Sequence, residues 1–250
     1  MSGHSKWATI KHKKGAADAK RGKLFAKLIR QVEVAARQGG GDPESNPTLR
    51  TMFQKARDSS VPLDTIQRAV KRGTGELEGV IYEQITYEGY APHGVAVLIE
   101  VLTDNRNRTG SEIRTTFNRA GGSMAEPGAV AWQFDRKGSI LLDRAADEDE
   151  LMLAALDAGA EDIADDGEAW RVTTPPSDLH AVRSALEEAG FAVESSDLAM
   201  VAANLVPLAS AGDARSVLAL IDALEDNDDV QAVHANFDIA DDVFAALEVG

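Results

Sequence analysis

The chain has 250 residues with 44% apolar and 27% charged side chains, more than one compact core organises and too apolar for wholesale disorder, so two or three domains are expected. Cysteine is absent, which excludes disulfides, thiolate metal sites and a cysteine nucleophile. The net charge of −15 conceals a split: residues 1–75 hold 16 Lys+Arg and 6 Asp+Glu, whereas residues 76–250 hold 10 and 35. No apolar run is long enough to cross a bilayer, and the lysines of Met1 to Lys14 precede no apolar core, so neither membrane nor secretory signal is expected and a cytoplasmic location is the default.

After a polar tail over Met1 to Lys14, Leu24, Phe25, Leu28, Ile29, Val32, Ala35 and Ala36 recur at helical spacing within Ala16 to Gln38, and Gly39-Gly40-Gly41 ends that helix. Asn46-Pro47 offers an N-cap followed by proline at the first helical position, opening a second helix with Leu49, Met52, Phe53 and Ala56. A third starts near Pro62, carries Ile66, Ala69 and Val70, and stops at Gly73-Thr74-Gly75. Three helices on short loops predict a small bundle.

From Val80 the pattern changes to strands: Ile81 to Tyr87, the β-branched run Gly94 to Val101, Ala129 to Phe134 and Ser139 to Leu142. A helix is predicted over Asn107 to Ala120 with Ile113 and Phe117 inward, and another over Asp147 to Ala158 with an acidic first turn. Trp170 to Thr174 reads as a strand, Ser177 to Ala189 as a helix and Phe191 to Ser195 as a strand. Met200 to Val206 reads as extended, Asp213 to Leu224 as helical and Val230 to Phe237 as extended. Between 135 and 200 the order is strand, helix, strand, strand, helix, strand, the split βαβ pattern of ferredoxin-like folds. The expectation is an α+β, multidomain protein. A basic helical domain (1–78) with an N-terminal tail precedes two ferredoxin-like α+β domains, one discontinuous (79–134 plus 200–250) and one inserted in it (135–199).

Chemistry-bearing motifs are few. His4, His12, His93, His180 and His234 lack metal-ligand spacing, and neither a nucleophile elbow nor a phosphate loop is present. The acidic groups Asp143/Asp147/Glu148/Asp149 and Asp162/Asp165/Asp166/Glu168 lack calcium-loop spacing and read as helix starts and solvated loops. No catalytic set emerges, and no metal or cofactor is implied.

The basic constellation points elsewhere. Lys6, Lys11, Lys13, Lys14, Lys20, Arg21, Lys23, Lys27 and Arg30, with His12 and Trp7 among them, face one acid, Asp18, within thirty residues. Such cations neutralise phosphates with strong salt dependence, and Trp7 either stacks on a base or docks on its own helical domain. A second feature is Thr103-Asp104-Asn105-Arg106-Asn107-Arg108-Thr109, between a strand and a helix. Arg106 and Arg108, with Arg114 further along that helix, either grip a phosphate at the helix start or pair with acids across a domain interface.

The opening MSGHSKWATIKHKK, the blocks DAKRGKLFAKLIR, NPTLR, TDNRNRT and YEGYAPHGVAVLIE, Gly121-Gly122 and AVAWQF from Ala129 resemble the YebC/PmpR family over essentially the whole chain. Gly15, where alanine is common, and Ala91 and His93, in a loop usually richer in glycine, are small departures. The resemblance implies a helical N-terminal domain plus two α+β domains, one inserted in the other, and no enzyme activity. It also implies DNA-binding transcriptional regulation; the alternative is a ribosome-associated factor that binds rRNA or tRNA and relieves stalled elongation on proline-rich sequences. Eukaryotic relatives include a mitochondrial translational activator. Both roles make nucleic acid the partner of the basic end and leave the acidic α+β body as a candidate surface for a protein partner.

Overall fold

A computed structural model describes residues 18–167 and 169–248. In chain order the elements are α1 (Asp18–Gly39), α2 (Pro47–Asp58), α3 (Leu63–Gly73), β1 (Glu83–Tyr90), β2 (Ala96–Thr103), α4 (Arg106–Arg119), β3 (Ser123–Ala125) and β4 (Phe134–Asp143). There follow α5 (Glu148–Asp157), β5 (Asp162–Asp165), β6 (Ala169–Thr174), α6 (Leu179–Glu188), β7 (Val193–Ala202), β8 (Val206–Leu208), α7 (Ala211–Glu225), β9 (Val230–Ala235), β10 (Phe237–Ile239) and α8 (Asp241–Glu248). The described residues divide into two compact units, 81–135 with 200–248 (the host unit) and 18–80 with 136–199.

In the second unit the helical segment and the inserted α+β segment each keep a core. Leu28, Val32, Leu49 and Ile66 centre the first; Ile140, Leu142, Leu151, Val172, Val182 and Leu186 centre the second. The helical spacing read for α1 is what buries Leu28, Val32, Ala35 and Ala36. Asn46 caps α2, accepting from the Leu49 N–H at 3.1 Å, and its Nδ2 also donates to the Ala35 and Gly40 carbonyls at 2.9 and 2.8 Å. One buried amide thus closes the end of α1 and opens α2. Gly73 does more than stop α3: a Cβ there would lie 2.4 Å from the Glu33 carbonyl oxygen, so its lack of a side chain lets α3 approach α1.

The inserted sheet runs β5-β6-β4-β7, with β4/β6 and β5/β6 antiparallel, the strand order of a ferredoxin-like split βαβ unit. The host sheet runs β3-β1-β2-β9, antiparallel throughout, with β8 and β10 forming a separate parallel pair. Ile113 and Phe117 of α4 are buried as expected.

Three expectations need correction. Residues 129–133 are not a strand but a turn running into a short 3-10 helix, and Phe134 instead begins the long β4. The cause is Glu88, whose carboxylate takes the Val130 and Ala131 N–H groups that a sheet ladder would use. The acid-rich segment read as loop contains the edge strand β5, and Asp166 behind it is buried and paired with Arg171. Finally, β10 and α8 follow β9, where only extended chain to Phe237 is predicted.

Candidate nucleic-acid interface

The basic residues of α1 are ordered by the helix itself. Leu28, Val32 and Ala35 point into the bundle, and positions 23, 27 and 30, at four- and three-residue steps, form one row along the flank of the helix. Lys23 is exposed, Lys27 and Arg30 are half-buried, and Arg21, off the row, is exposed. Lys20 lies within α1, but its side chain is outside the described residues, as are Lys6, Trp7, Lys11, His12, Lys13 and Lys14 altogether.

Further cations of the bundle hold its architecture. Glu33, 3% exposed, accepts from Arg72 Nε at 2.9 Å and Arg37 Nη2 at 3.3 Å, while Arg37 Nη1 reaches the Val80 carbonyl at 2.9 Å. Arg50 ties the loop before α2 by donating to the Pro43 and Glu44 carbonyls. Lys55 pairs with Asp197 of the inserted segment. The carboxylate buried in α1 is thereby neutralised inside the fold and does not oppose the basic row.

Two further features escaped the sequence reading. Arg57 near the end of α2 is exposed, as are Gln67, Arg68 and Lys71 on α3, with Arg68 beside Asp64 at 3.5 Å. The four residues 59–62 join α2 to α3, a connection of helix-turn-helix length. The signal was hidden because Ser60, not glycine, occupies the left-handed position (φ 61°) of that turn.

The second candidate cluster is pulled apart. Asn105 caps α4 by accepting from the Arg108 N–H at 3.1 Å. Arg108 Nη2 lies 2.7 Å from Asp229 and 2.9 Å from Asp104, whereas Arg106 lies 3.2 Å from Glu83. Arg114 is exposed two turns along α4. These acids belong to the host unit itself, so the pairings of Arg106 and Arg108 are internal to that unit and do not cross to the other. Asp229 also accepts from the Thr103 and Thr109 hydroxyls at 3.0 and 2.7 Å. Burial opposes its charge, but the donors Thr109, Arg108 and Thr103 outweigh burial and hold its carboxyl below the usual range; the Asp229 hydrogen bond likewise raises Arg108.

Among the described residues no three His, Asp or Glu side chains converge as a metal set, and no helix is long and apolar enough to cross a membrane. The family model described as TACO1/YebC protein N-terminal domain matches residues 5–76, and that for the TACO1/YebC second and third domain matches 82–237. A Rubrobacter xylanophilus protein named "Probable transcriptional regulatory protein" is 61% identical over 99% of both chains. One of the same description from Geobacter sulfurreducens is 56% identical over 96% of this chain and 97% of its own. The crystal structure of a conserved hypothetical protein from Aquifex aeolicus is similar with a TM-score of 0.82 and 44% identity, covering 90% of this chain and 93% of that one.

Proposed function

The chain belongs to the TACO1/YebC family, and on that footing we propose that it is a non-enzymatic regulatory protein that binds nucleic acid through its basic first quarter, with DNA as the target. The observation that carries this reading is the row at positions 23, 27 and 30 along the flank of α1, within a first 75 residues holding 16 cations against 6 acids. That row extends about 10 Å along the helix, enough to reach more than one phosphate of a strand. The exposed Gln67, Arg68 and Lys71 of α3 supply side chains suited to base edges. The names of the relatives agree with transcriptional regulation, and a cytoplasmic location goes with it.

A second reading, a ribosome-associated translation factor holding rRNA or tRNA, is favoured by the row being mostly lysine, which engages phosphate as a point charge without reading sequence. Titration of promoter duplexes and of ribosomes at several salt concentrations tests both. For duplex DNA, Lys23→Ala, Lys27→Ala and Arg30→Ala combined should flatten the slope of log affinity against log salt by roughly 3. An unchanged slope rejects the α1 row. Preference for ribosomes over every duplex rejects DNA as the target.

A further inference from the structure

Two sequence blocks that phosphate binding leaves unused, YEGY at Tyr87–Tyr90 and AVAWQF at Ala129–Phe134, meet in the host unit. Glu88, 6% exposed, accepts the N–H groups of Gly128, Val130 and Ala131 at 2.6, 2.6 and 2.9 Å. Those bonds fix the turn and with it the Ala129 carbonyl. Tyr90 is two residues beyond Glu88 on β1, hence on the same face of the sheet, and its hydroxyl donates to that carbonyl at 3.3 Å. Trp132 Nε1 donates to the same oxygen at 3.1 Å. The strand beneath is seated closely on α4: a Cβ at Gly89 would fall 2.6 Å from the Phe117 ring.

The outcome is an unusual surface residue. Trp132 is 71% exposed, yet its one polar atom is already satisfied within its own turn. It therefore presents an apolar ring to water while having surrendered rotamer freedom, the condition that makes aromatic anchors efficient in binding.

We infer that Trp132, with Tyr90 beside it, receives an arginine or lysine side chain of a basic protein partner. Charge selects that occupant. The host unit holds five Lys+Arg against seventeen Asp+Glu over 81–135 and 200–250, and the segment from Ala120 to Asp135, bracketed by Arg119 and Arg136, holds no cation itself. Glu126 and Asp135, both exposed, flank the turn in sequence. Such a surface repels phosphate and attracts a guanidinium, and the indole face adds a cation–π contact. The same chain makes that contact internally, with the Arg144 guanidinium 4.1 Å from the centre of the Trp170 ring.

The test uses the full chain and a labelled peptide of alternating arginine and glycine at about 0.15 M salt, compared with the same peptide carrying uncharged citrulline. Trp132→Ala should weaken arginine-peptide binding about 2- to 30-fold, Trp132→Phe should weaken it less, and citrulline should cost the wild type a similar factor. The melting temperature should hold, since the ring is exposed; if Trp132→Ala lowers it, Trp132→Phe alone decides. Equal peptide affinity of wild type and Trp132→Phe in that case, or of wild type and a stably folded Trp132→Ala, overturns the inference. So does citrulline binding as well as arginine, or a loss on Trp132 substitution of affinity for an oligothymidine strand rather than for the peptide.

Discussion

Arg183 of α6 grips Asp58 at the end of α2 with both terminal nitrogens, at 2.6 and 3.1 Å, tying the inserted segment to the helical segment within one unit. Its Nε also reaches Glu187, and Nη1 reaches the Ser196 hydroxyl. Burial works against the Arg183 charge, but the Asp58 hydrogen bonds and charge, with Glu187, outweigh it and raise the guanidinium above its ordinary value. Arg183→Met should destabilise by about 3–5 kcal/mol, because Asp58 is left without its partner in a half-buried site. Asp58→Leu alone should cost as much, and the double variant less than the two together. Urea unfolding of the four chains checks this; strict additivity would show that the pair is not coupled.

Asn46→Ala should cost roughly 3 kcal/mol, one cap and two further hydrogen bonds at about 1 kcal/mol each. Asn46→Asp keeps the acceptor for Leu49 but turns an oxygen toward the Ala35 and Gly40 carbonyls, so it should not rescue stability. Thermal melts at neutral pH distinguish the two; wild-type stability of the aspartate variant would contradict the dual role.

Gly73→Ala pits two effects against each other. Helix propensity favours alanine by about 1 kcal/mol, but the new methyl would meet the Glu33 carbonyl and the Ala36 side chain at 2.4 and 2.7 Å. Backbone cannot yield as a flexible side chain does, so overpacking of about 1–3 kcal/mol should win. A raised melting temperature would show that α1 and α3 separate readily.

Acid should loosen two places in the host unit. Burial opposes the Glu88 charge, yet the Gly128, Val130 and Ala131 N–H groups outweigh it and hold its carboxyl below the usual glutamate value; Asp229 is held low by its three donors. For groups depressed in the folded state, the stabilisation is complete above the unfolded value, about 4, and is lost as pH falls through the folded value. Glu88→Gln and Asp229→Asn should therefore flatten the acid limb of the stability profile. Arginine-peptide binding should fade over the same limb. Limbs identical to wild type would refute both assignments.

Replacing Lys11, Lys13, Lys14, Lys20, Arg21 and Lys23 by alanine should weaken nucleic-acid binding with little change in melting temperature. Arg72→Ala should do the reverse, since it strips Glu33 of one of its two cations. A chain beginning at Glu76 that binds nucleic acid like the full chain would relocate the interface.

What was legible in the sequence was what depends on neighbours a few residues apart: the inward face of α1, the Asn46-Pro47 start of α2, the acidic first turn of α5 and the adjacent strands β1 and β2. What was not legible depends on distant partners. β5 lacks an apolar alternation because it is an edge strand with one neighbour. Ala129 to Phe134 has strand composition, and only the Glu88 carboxylate, far away in sequence, diverts its amides. Which acid Arg108 pairs with was not legible either, because Asp229 arrives only with the segment before β9.

The pairing of β2 with β9 has to wait for synthesis. Val101 finds Val230 across the ladder only after the whole inserted segment has been made, a delay of about ten seconds at bacterial elongation rates of roughly 5–20 residues per second. Until then the apolar strand Ala96–Thr103 has an open edge while helices and insert are already complete. The nascent host sheet is thus the stage at which this polypeptide exposes an unpaired apolar strand edge.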